Sequence, residues 1–370
     1  MATGVEPHVR AAAATILGLI FIPWLITDPH WRNVLLGFVG LYVLYVMTER
    51  DEMLLPGKKP IFITGCDSGF GHGMAKYFDR QGFRVFAGCL TSEGEGAKEL
   101  QSTCSERLKV LQLDVTKDEQ VEEAFQEVKK DLDGEGLWGL VNNAGILQFS
   151  EVELTPIRVF QQHFDVNCLG QVRMVKAFLP LIKRTKGRIV NVCSINARQY
   201  MSMFAPYDIS KAGVEVFSDV LRLEMRKWGV KVSTIFPAAF DTNLTKFTSR
   251  QQNYMDEIKE SLNESQRMFY NDHYFKTVME RSTKLQAPKD GDIFSVVSSD
   301  YSPIYHAVDD ALLSRSPKAR YLAGFGARFV MLLMTHFPNW FLDLFLTSTT
   351  LTYREKGLEP AASLKSLKSE

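Results

Sequence analysis

At 370 residues the chain is long enough for one large α/β domain of about 250 residues with extensions. Lysine plus arginine and aspartate plus glutamate balance at 43 each, and no basic run stands out, so nothing marks a nucleic-acid partner. The five cysteines, Cys66, Cys89, Cys104, Cys168 and Cys193, are scattered without a C-x-x-C pair; reduced, mostly buried thiols are expected, and no metal site.

The N-terminal fifty residues differ from the rest. Ala11 to Thr27 and Val34 to Met47 carry no charge and are parted by Asp28 to Asn33. A bilayer core asks for about 20 apolar residues, so one tilted span, a helical hairpin and a re-entrant anchor all fit. A cleaved signal fits less well, because Arg10 is the sole basic residue ahead of the first stretch and a second stretch follows. Residues 1–56 are expected to be a membrane anchor and linker, 57–320 the globular domain, and 321–370 an apolar segment with a polar tail. In that last part Phe329 to Met334 and Trp340 to Leu346 flank Pro338, a pattern that suits core or dimer packing, a substrate mouth or an interfacial segment.

From Pro60 onward, apolar strand-like runs alternate with helix-period segments. The strands are expected at Ile61 to Thr64, Arg84 to Ala87, Leu108 to Leu113, Leu137 to Val141, Arg188 to Cys193 and Lys231 to Phe236. Between them, stretches such as Gln120 to Leu132 and Val172 to Lys183 repeat apolar residues every three or four positions. The fold class is α/β: a single Rossmann-type, doubly wound parallel sheet behind an N-terminal membrane anchor.

Directly after the first strand comes Thr64-Gly-Cys-Asp-Ser-Gly-Phe-Gly71. A tight strand-to-helix turn needs torsions that side chains forbid, and a pyrophosphate must approach both backbone and helix N-terminus. Thr64, Gly65, Ser68, Gly69, Phe70 and Gly71 are thus candidate cofactor contacts. No acid stands cleanly at the end of the second strand, and no cation waits there for a 2′-phosphate. Asp67 inside the turn would repel such a phosphate, so NAD is favoured over NADP. Asp114 and Val115 close the third strand where an adenine edge would lie. Asn142, Asn143, Ala144 and Gly145 close the fourth, the amides to pin the sheet and the glycine to let a ribose approach.

Ser194 is followed thirteen residues later by Tyr207, and Lys211 stands four beyond, on the same face of a helix running to Trp228. Tyrosine titrates near ~10, too high for a base at neutral pH. An ammonium about 4 Å away at an effective dielectric near 20 contributes roughly 4 kcal/mol, about three pKa units. Lys211 is expected to bring Tyr207 toward neutrality in this way, while Ser194 orients the substrate oxygen.

These motifs resemble the short-chain dehydrogenase/reductase family across roughly Pro60 to Thr242. The resemblance implies hydride transfer between a nicotinamide cofactor and a hydroxyl or carbonyl carbon. It further implies a fourth catalytic residue, Asn167, which would hold a water linked to Lys211, and cofactor contacts from Pro237, Thr242, Tyr207 and Lys211. The narrower likeness is to the branch of retinol dehydrogenases, 17β- and 11β-hydroxysteroid dehydrogenases type 2 and D-3-hydroxybutyrate dehydrogenase. Ala87 to Leu90, Glu151 to Glu153 and Met334 to Pro338 look most like the hydroxybutyrate enzyme; the apolar N-terminus looks like the membrane-bound steroid and retinoid enzymes. A small lipophilic alcohol or ketone is the implied substrate, membrane lipid a partner and the endoplasmic reticulum the location, with a mitochondrial membrane as the alternative. Pairing through the helices flanking Asn167 and Tyr207, to a homodimer or homotetramer, is implied too. One departure is Ala238, where the family has glycine beside the nicotinamide; a non-catalytic cofactor-binding scaffold is the alternative that follows from it. Asn243 to Pro288 would form the substrate lid, with Phe247, Tyr254, Met268, Phe269, Tyr270, Tyr274 and Phe275 either facing an apolar ligand or packing.

Overall fold

The computed structural model describes residues 52–242, 249–286, 298–324 and 337–343, with isolated positions at 30, 33, 34, 37, 244, 327 and 331. The chain forms two compact units, Met1–Glu52 and Met53–Glu370. Apart from a few isolated positions, the two apolar stretches expected to form the anchor lie outside the described residues, as do most of Phe329 to Met334 and the polar tail. Among the described residues, no helix is long and apolar enough to cross a membrane.

The second unit is built on seven parallel strands: β1 (Pro60–Thr64), β2 (Arg84–Cys89), β3 (Leu108–Gln112), β4 (Gly139–Asn142), β5 (Arg188–Val192), β6 (Lys231–Pro237) and β7 (Arg320–Ala323). Their spatial order is β3-β2-β1-β4-β5-β6-β7. Six match the apolar runs expected from the sequence. The seventh was not expected, because Arg320-Tyr-Leu-Ala323 is short and shows no isolated apolar run; it is a strand because β6 offers an open edge, with Ile235 opposite Tyr321 and Pro237 opposite Ala323.

Successive side chains of a strand point to opposite faces, and both faces are covered, so the central strands read as continuous apolar runs. Ile61 and Ile63 of β1 pack under α1 (Gly69–Arg80), with Met74, Ala75 and Phe78. Phe62, between them, faces the other layer. There it meets Phe178 and other apolar residues of α3 (Asp118–Asp131) and α5 (Gly170–Thr185). The remaining helices are α2 (Glu95–Thr103), α4 (Ile157–Phe164), α6 (Ala205–Met225), α7 (Ser249–Ser261), α8 (Glu264–Phe269), α9 (Asp272–Gln286) and α10 (Ser302–Leu313). Ile304, Val308 and Leu312 of α10 close the first layer.

From β1 the chain builds outward through β2 to β3, then returns to place β4 on the other side of β1. That reversal opens a crevice at the carboxyl ends of β1 and β4, where an open α/β sheet binds its ligand.

Candidate active site

The crevice begins at the turn after β1. Gly65 and Gly69 have φ of +70° and +60°, the left-handed region that favours glycine. A Cβ on Gly71 would fall 2.1 Å from the Gly65 carbonyl oxygen, so backbone meets backbone here. Thr64 Oγ1 accepts the N–H groups of Asn143 and Ala144, each at 2.9 Å. In return, Asn143 Nδ2 donates to the Thr64 and Gly65 carbonyls at 2.9 and 3.2 Å. Asn143 is therefore the amide that fixes the glycine turn. Asn142 lies deeper and does not line the cavity; it donates to Asn191 Oδ1 at 2.9 Å, and Asn191 donates to Ser218 Oγ of α6. It thus pins β4 to β5, the structural half of the role expected for it.

A cavity of about 550 Å³ runs from Gly65, Ser68, Gly69 and Phe70, past Asp114, Val115, Ala144 and Gly145, to Ser194, Tyr207 and Lys211. Pro237, Ala238 and Thr242 complete its wall. Thr64 and Gly71 stand behind that wall. Asp114 lies just past β3, and its Oδ1 accepts the Thr116 N–H and hydroxyl at 2.9 and 2.8 Å, so it both shapes a turn and faces the crevice.

Asp67 supplies what the end of β2 lacks in sequence. Its two carboxylate oxygens accept the backbone N–H groups of Leu90 and Thr91 at 2.8 and 3.0 Å. The acid is carried on the glycine turn and reaches across to the second strand's end; strand-by-strand reading looked for it twenty residues later.

At the far end of the cavity, Ser194 closes β5 and Tyr207 opens the third position of α6. Both are buried and line the same end of the cavity. Ser194 Oγ accepts the Asn196 N–H at 3.1 Å. Asn196 Nδ2 donates to Asp208 Oδ1 at 2.9 Å and the Met201 N–H to Asp208 Oδ2 at 3.0 Å. One carboxylate next to Tyr207 in the chain thereby ties the serine loop to the helix. Burial pushes that carboxyl up from 3.8 to about 7, against the pull of its two donors.

Lys211 is buried, and its Nζ donates to the Val192 carbonyl at 3.0 Å and lies 5.7 Å from the Tyr207 ring centroid. Burial lowers the lysine's pKa and raises the tyrosine's, and the Ser194 hydroxyl is what pulls the phenol back down. The expectation that Lys211 brings Tyr207 to neutrality is therefore not met in this structure: desolvation of both groups outweighs their proximity.

Asn167 sits in a π-helical turn, Asp165–Leu169, inserted between α4 and α5. Such insertions re-aim a side chain. Its Oδ1 accepts the Ile146 N–H at 2.7 Å, and its Nδ2 donates to the Ile146 carbonyl at 3.0 Å and to Ser210 Oγ at 2.9 Å. With both amide hydrogens so used, Asn167 forms the floor beneath the cavity rather than its wall. It still lies near the lysine: a Cβ on Gly145 would sit 3.2 Å from Asn167 Oδ1 and 3.8 Å from Lys211 Nζ.

Helices α7 to α9 fall within the expected lid. Leu244 and Gln251 from this segment line the cavity, whereas Tyr254, Met268, Phe269, Tyr270, Tyr274 and Phe275 do not. Tyr254, Tyr274 and Phe275 instead pack with Phe149, Leu154 and Val159. Phe247 lies outside the described residues. The Tyr274 and Tyr270 hydroxyls both donate to the Glu151 carboxylate, at 2.8 and 3.1 Å, clasping α8 and α9 to the loop after β4. The Ser150 hydroxyl meets the Tyr254 hydroxyl at 2.8 Å and Gln251 Nε2 donates to the Phe149 carbonyl at 2.9 Å, which fastens α7 likewise.

The five cysteines are free, and four are buried. Among the described residues no cluster of His, Cys, Asp or Glu could hold a metal. A dinucleotide fits what is present: a glycine turn that would receive its pyrophosphate, acids at Asp67 and Asp114, and a wall at Gly145 with no side chain.

Residues 59–253 match the family model described as short chain dehydrogenase. The chain is 38% identical over 331 residues to 17-beta-hydroxysteroid dehydrogenase type 2 of Homo sapiens, covering 89% of this chain and 83% of that one. It is 42% identical over 294 residues to the mitochondrial D-beta-hydroxybutyrate dehydrogenase of Bos taurus, covering 78% and 83%. To retinol dehydrogenase 7 of Rattus norvegicus it is 38% identical over 314 residues, covering 84% and 94%. In fold it is similar to a short-chain dehydrogenase from Streptomyces avermitilis, with a TM-score of 0.58 at 23% identity over 78% of this chain and 94% of that one. The chain belongs to the short-chain dehydrogenase family and is an oxidoreductase acting on CH–OH donors with a nicotinamide cofactor.

Proposed function

We propose that this chain is a membrane-anchored, NAD-dependent dehydrogenase that interconverts a hydroxyl and a carbonyl on a lipophilic alcohol, a hydroxysteroid or a retinoid. The observation that carries the reading is that Ser194, Tyr207 and Lys211 line one end of a cavity whose other end is the glycine turn. Ser194 donates to the substrate oxygen and orients it. Tyr207 takes the hydroxyl proton as the carbonyl forms, and returns it in the reverse direction. A nicotinamide cofactor, which Gly65, Ser68, Gly69, Gly145 and Thr242 would hold, would supply the acceptor for the hydride of the carbinol carbon. Lys211 holds positive charge below the phenol, and Asn167 keeps Ile146 and α6 in register beside it.

Asp67 supports NAD: a carboxylate fixed on the Leu90 and Thr91 amides stands where a 2′-phosphate would need a cation. The uncharged stretches Ala11 to Thr27 and Val34 to Met47 support an anchor, and the membrane-bound relatives it resembles support the endoplasmic reticulum over a mitochondrial membrane. Association through α6 is supported by an exposed apolar stripe of Ile209, Val216, Val220 and Leu223, which recurs at helical spacing.

A second reading has its own observation. The lid's aromatic residues do not line the cavity, and the hydroxybutyrate enzyme is 42% identical, so a small hydroxy acid is the competing substrate. Membranes carrying the full chain, offered NAD with estradiol, retinol or D-3-hydroxybutyrate, test both. Turnover of a steroid or retinol supports the first reading, and turnover of hydroxybutyrate alone the second. Silence on all three contradicts both and leaves a non-catalytic scaffold, with Ala238 on the cavity wall as the reason.

A further inference from the structure

The loop after β4 leads Gln148 to the cavity beside Phe149 and Leu147. Its backbone is held firmly: the Gln148 N–H donates to His163 Nε2 at 2.9 Å, and the ring's Nδ1 meets the Val159 carbonyl at 2.8 Å. His163 is wholly buried, so the imidazole acts as a strut from α4 that fixes where residue 148 stands. The side chain contrasts with this. It is 9% exposed, lines the cavity and has its Oε1 enclosed without a hydrogen-bond partner. On the lid, Gln251 Nε2 donates to the Phe149 carbonyl, and at the far end Ser194 Oγ accepts the Asn196 N–H.

A buried carboxamide with no partner is costly, and structures keep such groups where something else meets them. A half-turn of the amide exchanges its oxygen and nitrogen, so Gln148 can present a donor or an acceptor to whatever fills the cavity. The cavity wall also carries apolar Ile146, Leu147, Phe149 and Leu244, with polar Gln162, Asp165 and Gln251. We infer that Gln148 is a specificity-determining residue that hydrogen-bonds a second oxygen on the substrate, distinct from the oxygen that is oxidised. The substrate class is then an alcohol with a further hydroxyl, carbonyl or carboxylate, such as a diol steroid or a hydroxy acid, and not a hydrocarbon alcohol with a single oxygen. This rests on the dehydrogenase reading above and narrows it.

The test uses the full-length protein in membranes, with NAD and matched alcohols that differ by one oxygen-bearing group: D-3-hydroxybutyrate against 2-butanol, and estradiol against its 3-deoxy counterpart. A site built to hydrogen-bond a substrate group rejects the analogue lacking it strongly, so wild type should favour the oxygen-bearing member of at least one pair by tenfold or more in kcat/KM. In Gln148→Leu, and in the length-matched Gln148→Met, that ratio should collapse to about twofold, with NADH binding as the check that each variant is folded. A wild type that turns over both members equally would overturn the inference while leaving the dehydrogenase reading intact. So would a ratio that survives in both variants. Silence of wild type on all four alcohols would overturn that reading and the inference with it.

Discussion

The Asp67 carboxylate accepts the Leu90 backbone N–H at 2.8 Å, so the glycine turn and the end of β2 share one negative charge. A phosphate on the adenosine ribose would meet that charge at close range, where like charges 4 Å apart repel by about 4 kcal/mol at an effective dielectric of 20. Asp67→Asn should therefore raise affinity for NADPH relative to NADH by at least tenfold, read by fluorescence titration of both cofactors. An unchanged ratio would show that the carboxylate does not set the preference.

Thr64 Oγ1 holds two backbone amides of the loop that closes β4. Thr64→Val keeps the shape and leaves both N–H groups without that acceptor. The expected loss of stability is about 1–3 kcal/mol in denaturant unfolding, together with weaker NADH binding, because the same bonds fix the glycine turn. Loss of stability without any change in cofactor affinity would separate the two roles.

Asp208 gives a pH signature. Its carboxyl titrates at about 7 in the folded chain and at an ordinary 3.8. Between those values the folded state keeps a proton that the unfolded state has released, so raising the pH across that window favours unfolding. Stability of wild type relative to Asp208→Asn should fall as pH rises from about 4 to about 7 and stay level outside that window. Parallel curves for the two proteins across the whole range would rule out this titration.

Glu151 clasps two lid tyrosines, and burial beside that carboxylate pushes the phenol of Tyr274 upward, keeping it a donor at any ordinary pH. Glu151→Ala removes the acceptor of Tyr274 and one of the two carboxylates that face Tyr270, the other being Glu153 at 3.0 Å. Residues 249–286 should become several-fold more susceptible to limited proteolysis, while cuts within the sheet stay as slow as in wild type. Equal susceptibility would mean that the apolar contacts of Phe149, Leu154 and Tyr254, with the Ser150 and Gln251 hydrogen bonds, hold the lid without Glu151.

The sheet was legible because parallel strands buried on both faces read as apolar runs, and six of seven were found that way. β7 escaped because its four residues depend on the open edge of β6 for their strand character, a tertiary cause that no local pattern carries. Ser194, Tyr207 and Lys211 were visible from their spacing and meet at one end of the cavity. Both amides of Asn142-Asn143 were expected to pin the sheet, and that Asn143 instead fixes the glycine turn was not legible, since adjacent amides in one motif differ only in which way the chain turns them. Asp67 was seen as a charge in the turn but not as the acid of β2, since sequence separation hides the 2.8 Å between them. Gln148 had no motif at all; its unmet carboxamide is visible only in three dimensions. The lysine's effect on Tyr207 was overestimated because spacing on a helix says nothing of burial, and burial is the larger influence on both groups here.

The central claim is that Tyr207 is the acid–base group of a hydride transfer. It is tested most directly by following NADH formation in membranes carrying wild type or Tyr207→Phe, with NADH binding measured in parallel. Loss of the proton acceptor should lower kcat by about 10²–10⁴-fold, with cofactor affinity unchanged. Turnover by Tyr207→Phe at the wild-type rate would contradict the account.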